Sequence, residues 1–275
     1  MIKSLTIKAV ILLALCLQLV SADENEVVVG VVPQFDPRHI QKVWQPILDE
    51  LEARTGRKYV LSGSRSIPHF ERRFKRGDYD LVYLNPYHQV IANKAQGYEP
   101  IIKDSQKKLY GILAVSKDKN IKSLADLEGE VVAFPAPNAL GASLLMRTNL
   151  IYKFNINFEP KYVKNHTSVY LNTVLGLTAA GGGVMRTLNG QSNDIKSKLR
   201  IIYETERVEP HPLSVHPRLG ADLKSKIQTA LLAMGKSPEG RSLLAGIPML
   251  EAGIAVQKDY EPLESMGLER VYVEE

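Results

Sequence analysis

At 275 residues the chain is long enough to bury one large core or two of moderate size, which excludes the small disulfide-stapled class. Its make-up, 44% hydrophobic and 24% charged, is ordinary for a globular protein and excludes the disordered class. The formal net charge of +5 falls to +3 when Lys3 and Lys8 of the N-terminus are set aside, and no basic arm accompanies it, so nothing points to a nucleic-acid partner.

Lys3 and Lys8 flank the start of Ala9 to Val20, a run that is apolar apart from Gln18 and too short for a normal membrane span. Val20-Ser21-Ala22 resembles a small-residue cleavage site, with polar Asp23-Glu24-Asn25 beyond it. Residues 1–22 are therefore predicted to be a cleaved signal peptide. The competing readings are an uncleaved anchor helix and a lipidated Cys16. The second is disfavoured by Leu15, where a small residue is expected. Cys16 is the only cysteine, so the mature chain would have no thiol, disulfide or cysteine metal ligand. An exported, disulfide-free protein of this size fits a bacterial periplasm.

Glu26 to Val32 is a β-branched run and reads as a first buried strand, followed by a loop at Pro33–Pro37. From Ile40 to Thr55, apolar residues at Val43, Trp44, Ile47, Leu48 and Leu51 give a helical pattern closed by Gly56. Strands are predicted at Lys58–Leu61, Leu81–Leu84 and Tyr110–Ser116, and helices at Pro68–Lys75 and Tyr87–Lys94. This alternation argues for an open parallel sheet with helices on both faces. The pattern restarts with a helical turn at Leu124–Leu127, a strand at Val131–Phe134, a helix from Ala139 to Lys153 and a strand at Lys161–Val163. A helix at Val169–Thr178, an unassigned segment at Gly183–Leu188 and a strand at Arg200–Glu204 follow. Val208 to Pro217 is read as irregular, and helices are placed at Leu223–Met234, Pro238–Leu244 and Asp259–Met266. The predicted architecture is α/β, with two lobes and a ligand between them. Lobe 1 is residues 23–108 plus 211–275, and lobe 2 is 109–210. The chain would cross near Lys108–Tyr110 and again near Tyr203–Thr205. The run Gly181-Gly182-Gly183 suits a tight turn or a close ligand approach, a plain turn being favoured.

One segment, Phe134 to Ser143 (FPAPNALGAS), ends a strand and begins a helix. Pro135 and Pro137 forbid helix before Asn138, which is a good N-cap, and Ala139, Leu140, Gly141 and Ser143 fall in the first turn. A helix start leaves N–H groups without partners and carries the positive end of the dipole. It is either an ordinary capped helix or the seat of an anion. Strand ends of an α/β sheet point into a crevice, which places Tyr83, Asn85, Tyr87 and His88 of DLVYLNPYH near a ligand; the tyrosines could equally be core aromatics. Asn165-His166-Thr167-Ser168 follows a strand in the same way, with Thr167 or Ser168 as N-cap and His166 as a donor to an oxyanion. His39, His211 and His216 share no helical spacing and read as structural. No HExxH, GxSxG, P-loop or dense carboxylate cluster is present, so neither a metal nor a catalytic centre is indicated.

Taken together, PQFDPR (33–38), SIPHFE (66–71), GDYDLVYLNPYH (77–88), AFPAPNALGASLLMR (133–147), NHTSVYLN (165–172), AAGGGVMRT (179–187) and HPLSVHPR (211–218) resemble the PhnD-like family over nearly the whole mature chain. These are phosphate, phosphite and phosphonate substrate-binding proteins of ABC transporters. The resemblance implies a type II periplasmic-binding fold, two lobes closing on an oxyanion. It also implies that the anion sits on the helix start at Ala139-Leu140-Gly141 and takes donors from Tyr83 and His166. Hydroxyl residues common at that helix start are missing, so backbone amides, with Ser143, would carry more of the binding. A family aromatic appears as Ile67, and an acid that recognises the amine of aminophosphonates falls in Gly181–Gly183, which favours a small inorganic oxyanion over an aminophosphonate. Neutral donors and dipoles, rather than a buried Lys or Arg, would balance the charge. The expected partners are a small oxyanion and an inner-membrane ABC permease, with the protein a monomer and without cofactor. Alternatives are a sensor that feeds a histidine kinase and, from the enzyme class, an exported hydrolase.

Overall fold

The computed structural model describes residues 26–274; the expected signal peptide and Cys16 lie outside them. Eleven strands among these residues form two sheets. The first sheet has the order β11-β4-β10-β3-β1-β2 and is built from β1 (Glu26–Val31), β2 (Lys58–Leu61), β3 (Leu81–Tyr83), β4 (Glu99–Asp104), β10 (Leu213–Val215) and β11 (Ala252–Ile254). The second has the order β7-β6-β8-β5-β9, from β5 (Ile112–Ser116), β6 (Val131–Phe134), β7 (Glu159–Tyr162), β8 (Ala180–Gly183) and β9 (Leu199–Glu204).

Each sheet is a lobe with its own core. In lobe 1, helix α1 (Pro37–Thr55) starts at Asp36, whose side chain accepts from the His39 N–H, with Pro37 at a position where no N–H is needed. It lays Trp44, Ile47, Leu48 and Leu51 on Val27, Val29 and the sheet. Helices α2 (Ile67–Lys75) and α3 (Pro86–Gln96) are capped in the same manner by Ser66 and Asn85. In lobe 2, Phe134, Met146 and Leu150 pack with Leu113, Val115 and Val132. Helix α4 covers residues 140–153: Leu140–Leu145 and Asn149–Lys153 are wound as π-helix around α-helical Met146–Thr148. Helices α5 (His166–Val174), α6 (Met185–Asn189) and α7 (Asn193–Lys196) complete this lobe, and α8 (Gly220–Met234) and α9 (Pro238–Leu244) return to lobe 1.

The sheets are mixed, not purely parallel. β1, β2 and β3 run parallel, but β10 is antiparallel to both β3 and β4, and β5 is antiparallel to β8 and β9. The segment expected to be irregular, 208–217, supplies β10, and two further strands, β4 and the three-residue β11, carry no turn-bounded alternating pattern. The glycine run is no turn. Gly181, Gly182 and Gly183 lie in β8, in the middle of its sheet, with φ outside the left-handed region. A Cβ on Gly182 would stand 2.1 Å from the Ala142 carbonyl oxygen, and one on Gly183 2.1 Å from the Tyr170 hydroxyl. Glycine here is demanded by close packing.

The chain crosses between lobes where Leu109 and Val208 exchange backbone hydrogen bonds of 2.9 and 2.8 Å. A third tie comes from the C-terminal tail. Val271 O accepts from Arg147 (2.6 Å), and Val273 bonds the Asn138 side chain through both its carbonyl (2.7 Å) and its N–H (3.0 Å). No described helix is long and apolar enough to cross a membrane.

Candidate functional site

The start of α4 is pressed between two strands of its own lobe and faces the other. A Cβ on Gly111, just before β5, would lie 1.9 Å from the Gly141 carbonyl oxygen. With Gly111 and Gly182 bare, the first turn of α4 sinks onto the sheet. The Ala139 carbonyl accepts from both Ser143 (2.8 Å) and Leu144 (3.1 Å). The N–H groups of Leu140, Gly141 and Ala142 have no hydrogen-bond partner among the described residues, as the geometry of a helix start requires. They border an interlobe cavity of about 20 Å³, which Val32, Gln34, Ile67 and Asn85 close from lobe 1 and His166 and Val184 from lobe 2.

His166, first residue of α5, is buried at this cavity, with Nδ1 3.2 Å from the Thr187 hydroxyl. His211 joins from lobe 1, its Nε2 2.9 Å from the Gln34 side-chain nitrogen and its ring stacked on Tyr83 at 5.3 Å. Burial lowers both imidazoles, His166 to about 4 and His211 to about 3. At neutral pH both are uncharged, so each can donate from only one nitrogen. Because their folded values lie below the ordinary 6.5, the unfolded chain takes up protons that the folded chain refuses as pH falls through 6.5. Stability should therefore drop on acidification, by about 2 kcal/mol for each histidine between pH 7 and pH 5. Urea unfolding at the two pH values checks this, and His211→Asn should flatten the dependence.

Tyr83 does not open into the same cavity. Its hydroxyl is buried without a partner in a neighbouring void, also about 20 Å³, bounded by Trp44, Arg186 and Gly246. Gln34 lines both voids and stands between them. Burial pushes the Tyr83 phenol strongly up, so it is a neutral donor. Asn85 borders the inner cavity, but it caps α3 by accepting the His88 N–H (2.8 Å) and donates to the Asn138 carbonyl (3.2 Å), leaving one amide hydrogen available.

Other candidates are placed elsewhere. Asn138 is not the N-cap of α4; Ala139 is, with no side-chain bond. The Asn138 amide is occupied instead by Glu71 (3.0 Å) and Val273. Ser143 accepts from Arg147 Nε (3.1 Å) and does not border the cavity. Tyr87 packs edge-on against Tyr272 in the apolar cluster with Leu140 and Leu144, and His88 is buried 2.8 Å from Glu71. Asn165, not Thr167 or Ser168, caps α5, its side chain accepting from the Ser168 N–H. Thr167 and Ser168 line only the outer cleft, about 820 Å³, which shares Gln34, Ile67 and His166 with the inner cavity.

Sequence reasoning passed over Gln34 and Thr187 and read His211 as structural. All three sit in segments singled out as motifs, PQFDPR, AAGGGVMRT and HPLSVHPR, but nothing in their spacing brings them together. Nor is the neighbourhood free of arginine. Arg147 is buried and makes no ion pair among the described residues; it donates to Ser143, Pro137 O and Val271 O just behind the α4 start. Its charge adds to the helix dipole at the cavity. No group of His, Cys, Asp or Glu among the described residues could hold a metal ion.

A small void at an unpartnered helix start, lying between two lobes, suits a bound anion. A family model described as "ABC transporter, phosphonate, periplasmic substrate-binding protein" matches residues 29–260. The chain belongs to this phosphonate-binding family. The fold agrees with that of solved family-type proteins. A binding protein component of an ABC phosphonate transporter from Pseudomonas aeruginosa has TM-score 0.80 at 14% identity, covering 90% of this chain and 88% of its own. PhnD1 from Prochlorococcus marinus, solved in complex with methylphosphonate, has TM-score 0.80 at 16% identity, covering 90% and 99%. XAC2383 from Xanthomonas citri, solved with chloride ion, has TM-score 0.76 at 15% identity, covering 90% and 98%. No curated protein matches. As a phosphonate-binding family member, the chain is a substrate-binding component of an ABC transporter, and its two-lobe α/β fold is that of periplasmic binding proteins.

Proposed function

We propose that this chain, exported by cleavage after Ala22 and acting as a monomer in the periplasm, encloses one small phosphorus oxyanion (phosphate, phosphite or a short phosphonate) and presents it to an inner-membrane permease. Lobe 1 (23–108 with 211–275) and lobe 2 (109–210) close on it by hinge rotation. The observation that carries this reading is the void of about 20 Å³ at the free N–H groups of Leu140, Gly141 and Ala142. Those amides hold the oxygens, His166 and Asn85 add donors, and Tyr83 reaches the ion once Gln34 swings aside. Hydrogen bonds to a charged group contribute about 1.5–3 kcal/mol each, so several converging donors suffice for micromolar or tighter binding. That the P. marinus relative was solved with methylphosphonate supports the ligand class.

Calorimetry and thermal shift with phosphate, phosphite, methylphosphonate and sulfate test the assignment, since a true ligand raises the melting temperature by mass action. Tyr83→Phe is the informative variant. It removes a buried hydroxyl without a partner, so it should raise stability by about 1 kcal/mol while weakening the best ligand about tenfold. His166→Ala should weaken it by a similar factor. Unchanged affinity in both variants refutes the site.

A further inference from the structure

Behind Gln34 lies a further interlobe space, on the side of the chain crossing, of about 530 Å³. It shares Gln34, Leu109, Val184 and His211 with the inner cavity, so these four residues are a common wall. The wall has one polar closure, the 2.9 Å contact between the Gln34 side-chain nitrogen and His211 Nε2. A turn of the Gln34 side chain joins the two spaces.

The charge lining this space is biased. Arg186, from α6 of lobe 2, has no carboxylate partner among the described residues; its one hydrogen bond runs to the Gly246 carbonyl of lobe 1, at 2.6 Å. Lys107 lines the same space and makes no ion pair among the described residues, whereas Lys108 is paired with Glu209. The carboxylate that also lines it, Asp104, is taken up by the N–H groups of Gln106 (2.7 Å), Lys107 (3.2 Å) and Leu250 (2.7 Å). Asp104 is the acid lining this space and is 3% exposed; Gly181–Gly183 are packed inside β8.

The geometry points to a second anionic subsite. A phosphorus oxyanion seated at α4 can carry a short substituent past Gln34, and its far end meets Arg186 and Lys107. The preferred substrate class is thus an organophosphorus compound with a second negative group, carboxylate or phosphoryl, rather than an aminophosphonate. This inference rests on the oxyanion reading above and sharpens its specificity.

Calorimetric titration of the mature protein with methylphosphonate, phosphonoacetate, methylenediphosphonate and 2-aminoethylphosphonate tests it. At least one of the doubly anionic compounds should bind about tenfold or more tightly than methylphosphonate, and the amine should bind more weakly. A gain confined to phosphonoacetate assigns a carboxylate, and one confined to methylenediphosphonate a phosphoryl group. Arg186→Gln should erase the gain while methylphosphonate stays within about threefold, and Arg186→Glu should turn the preference toward 2-aminoethylphosphonate. Equal affinity for methylphosphonate, phosphonoacetate and methylenediphosphonate, or an equal loss of methylphosphonate and the dianions in Arg186→Gln, overturns the subsite. If neither methylphosphonate, phosphite nor phosphate binds at all, the oxyanion reading itself is wrong and the subsite falls with it. Melting curves of both variants establish that they fold.

Discussion

Alanine at Gly111 is expected to lower oxyanion affinity about a hundredfold, although residue 111 need never touch the ligand. The added methyl would sit 1.9 Å from the Gly141 carbonyl oxygen and 2.8 Å from its carbon, and both are backbone atoms that no rotamer change can remove. Residue 111 is itself fixed, donating its N–H to the Thr205 hydroxyl (2.8 Å) and accepting the Thr205 N–H (2.9 Å). The start of α4 has to move, and a displacement near 1 Å spoils converging donors far more than it spoils packing; misplacements of that size cost about 10² in oriented chemistry. The stability loss should be only about 1–3 kcal/mol, typical of overpacking. Gly182→Ala, with its methyl 2.1 Å from the Ala142 oxygen, should behave alike. Gly63→Ala, which meets nothing within 4 Å, is the neutral comparator. Calorimetry and urea unfolding on the three proteins decide the matter: wild-type affinity in Gly111→Ala would mean that the helix tip is not where the ion sits.

The largest effect on stability should come from Glu71→Ala, with a loss of about 3 kcal/mol or more. This carboxylate is 3% exposed and collects three partners, two of them buried: His88 Nε2 at 2.8 Å, Asn138 Nδ2 at 3.0 Å and the half-buried Tyr272 hydroxyl at 3.1 Å. They come from α3, from the turn before α4 and from the C-terminal tail. Removing the acceptor strands donors away from water, at about 1–3 kcal/mol for each one left unpaired. The tail should also loosen, which limited proteolysis would register as faster cleavage near 271–273. A variant that unfolds at the same urea concentration as wild type would show that water replaces Glu71 without loss.

The alternation of strands and helices, the two lobes and the Pro-Ala-Pro entrance to α4 could be read from the chain, because each is a local matter of periodicity and of residues that refuse helix. What could not be read depends on distant neighbours. Asn138 has every attribute of an N-cap, yet Glu71 and Val273 offer its amide three bonds and leave the cap position to Ala139. Three glycines in a row suggest a turn; only the arrival of α4 and Tyr170 against β8 explains why side chains are excluded there. Strand β10 is three residues long and gains its identity from the strands on either side of it. Gln34 and His211 meet across 177 positions of sequence, a pairing no spacing rule anticipates.

The bonds that fasten Val271 and Val273 to Arg147 and Asn138 bear on how long a captured ion stays. If the tail keeps its place on lobe 1 while the clamshell opens, three hydrogen bonds break with it. At a net ~1 kcal/mol apiece, they slow escape by roughly a hundredfold relative to the same joint without them. Cutting the tail back to Arg270 would then convert a receptor with a long dwell time into one that exchanges its cargo quickly.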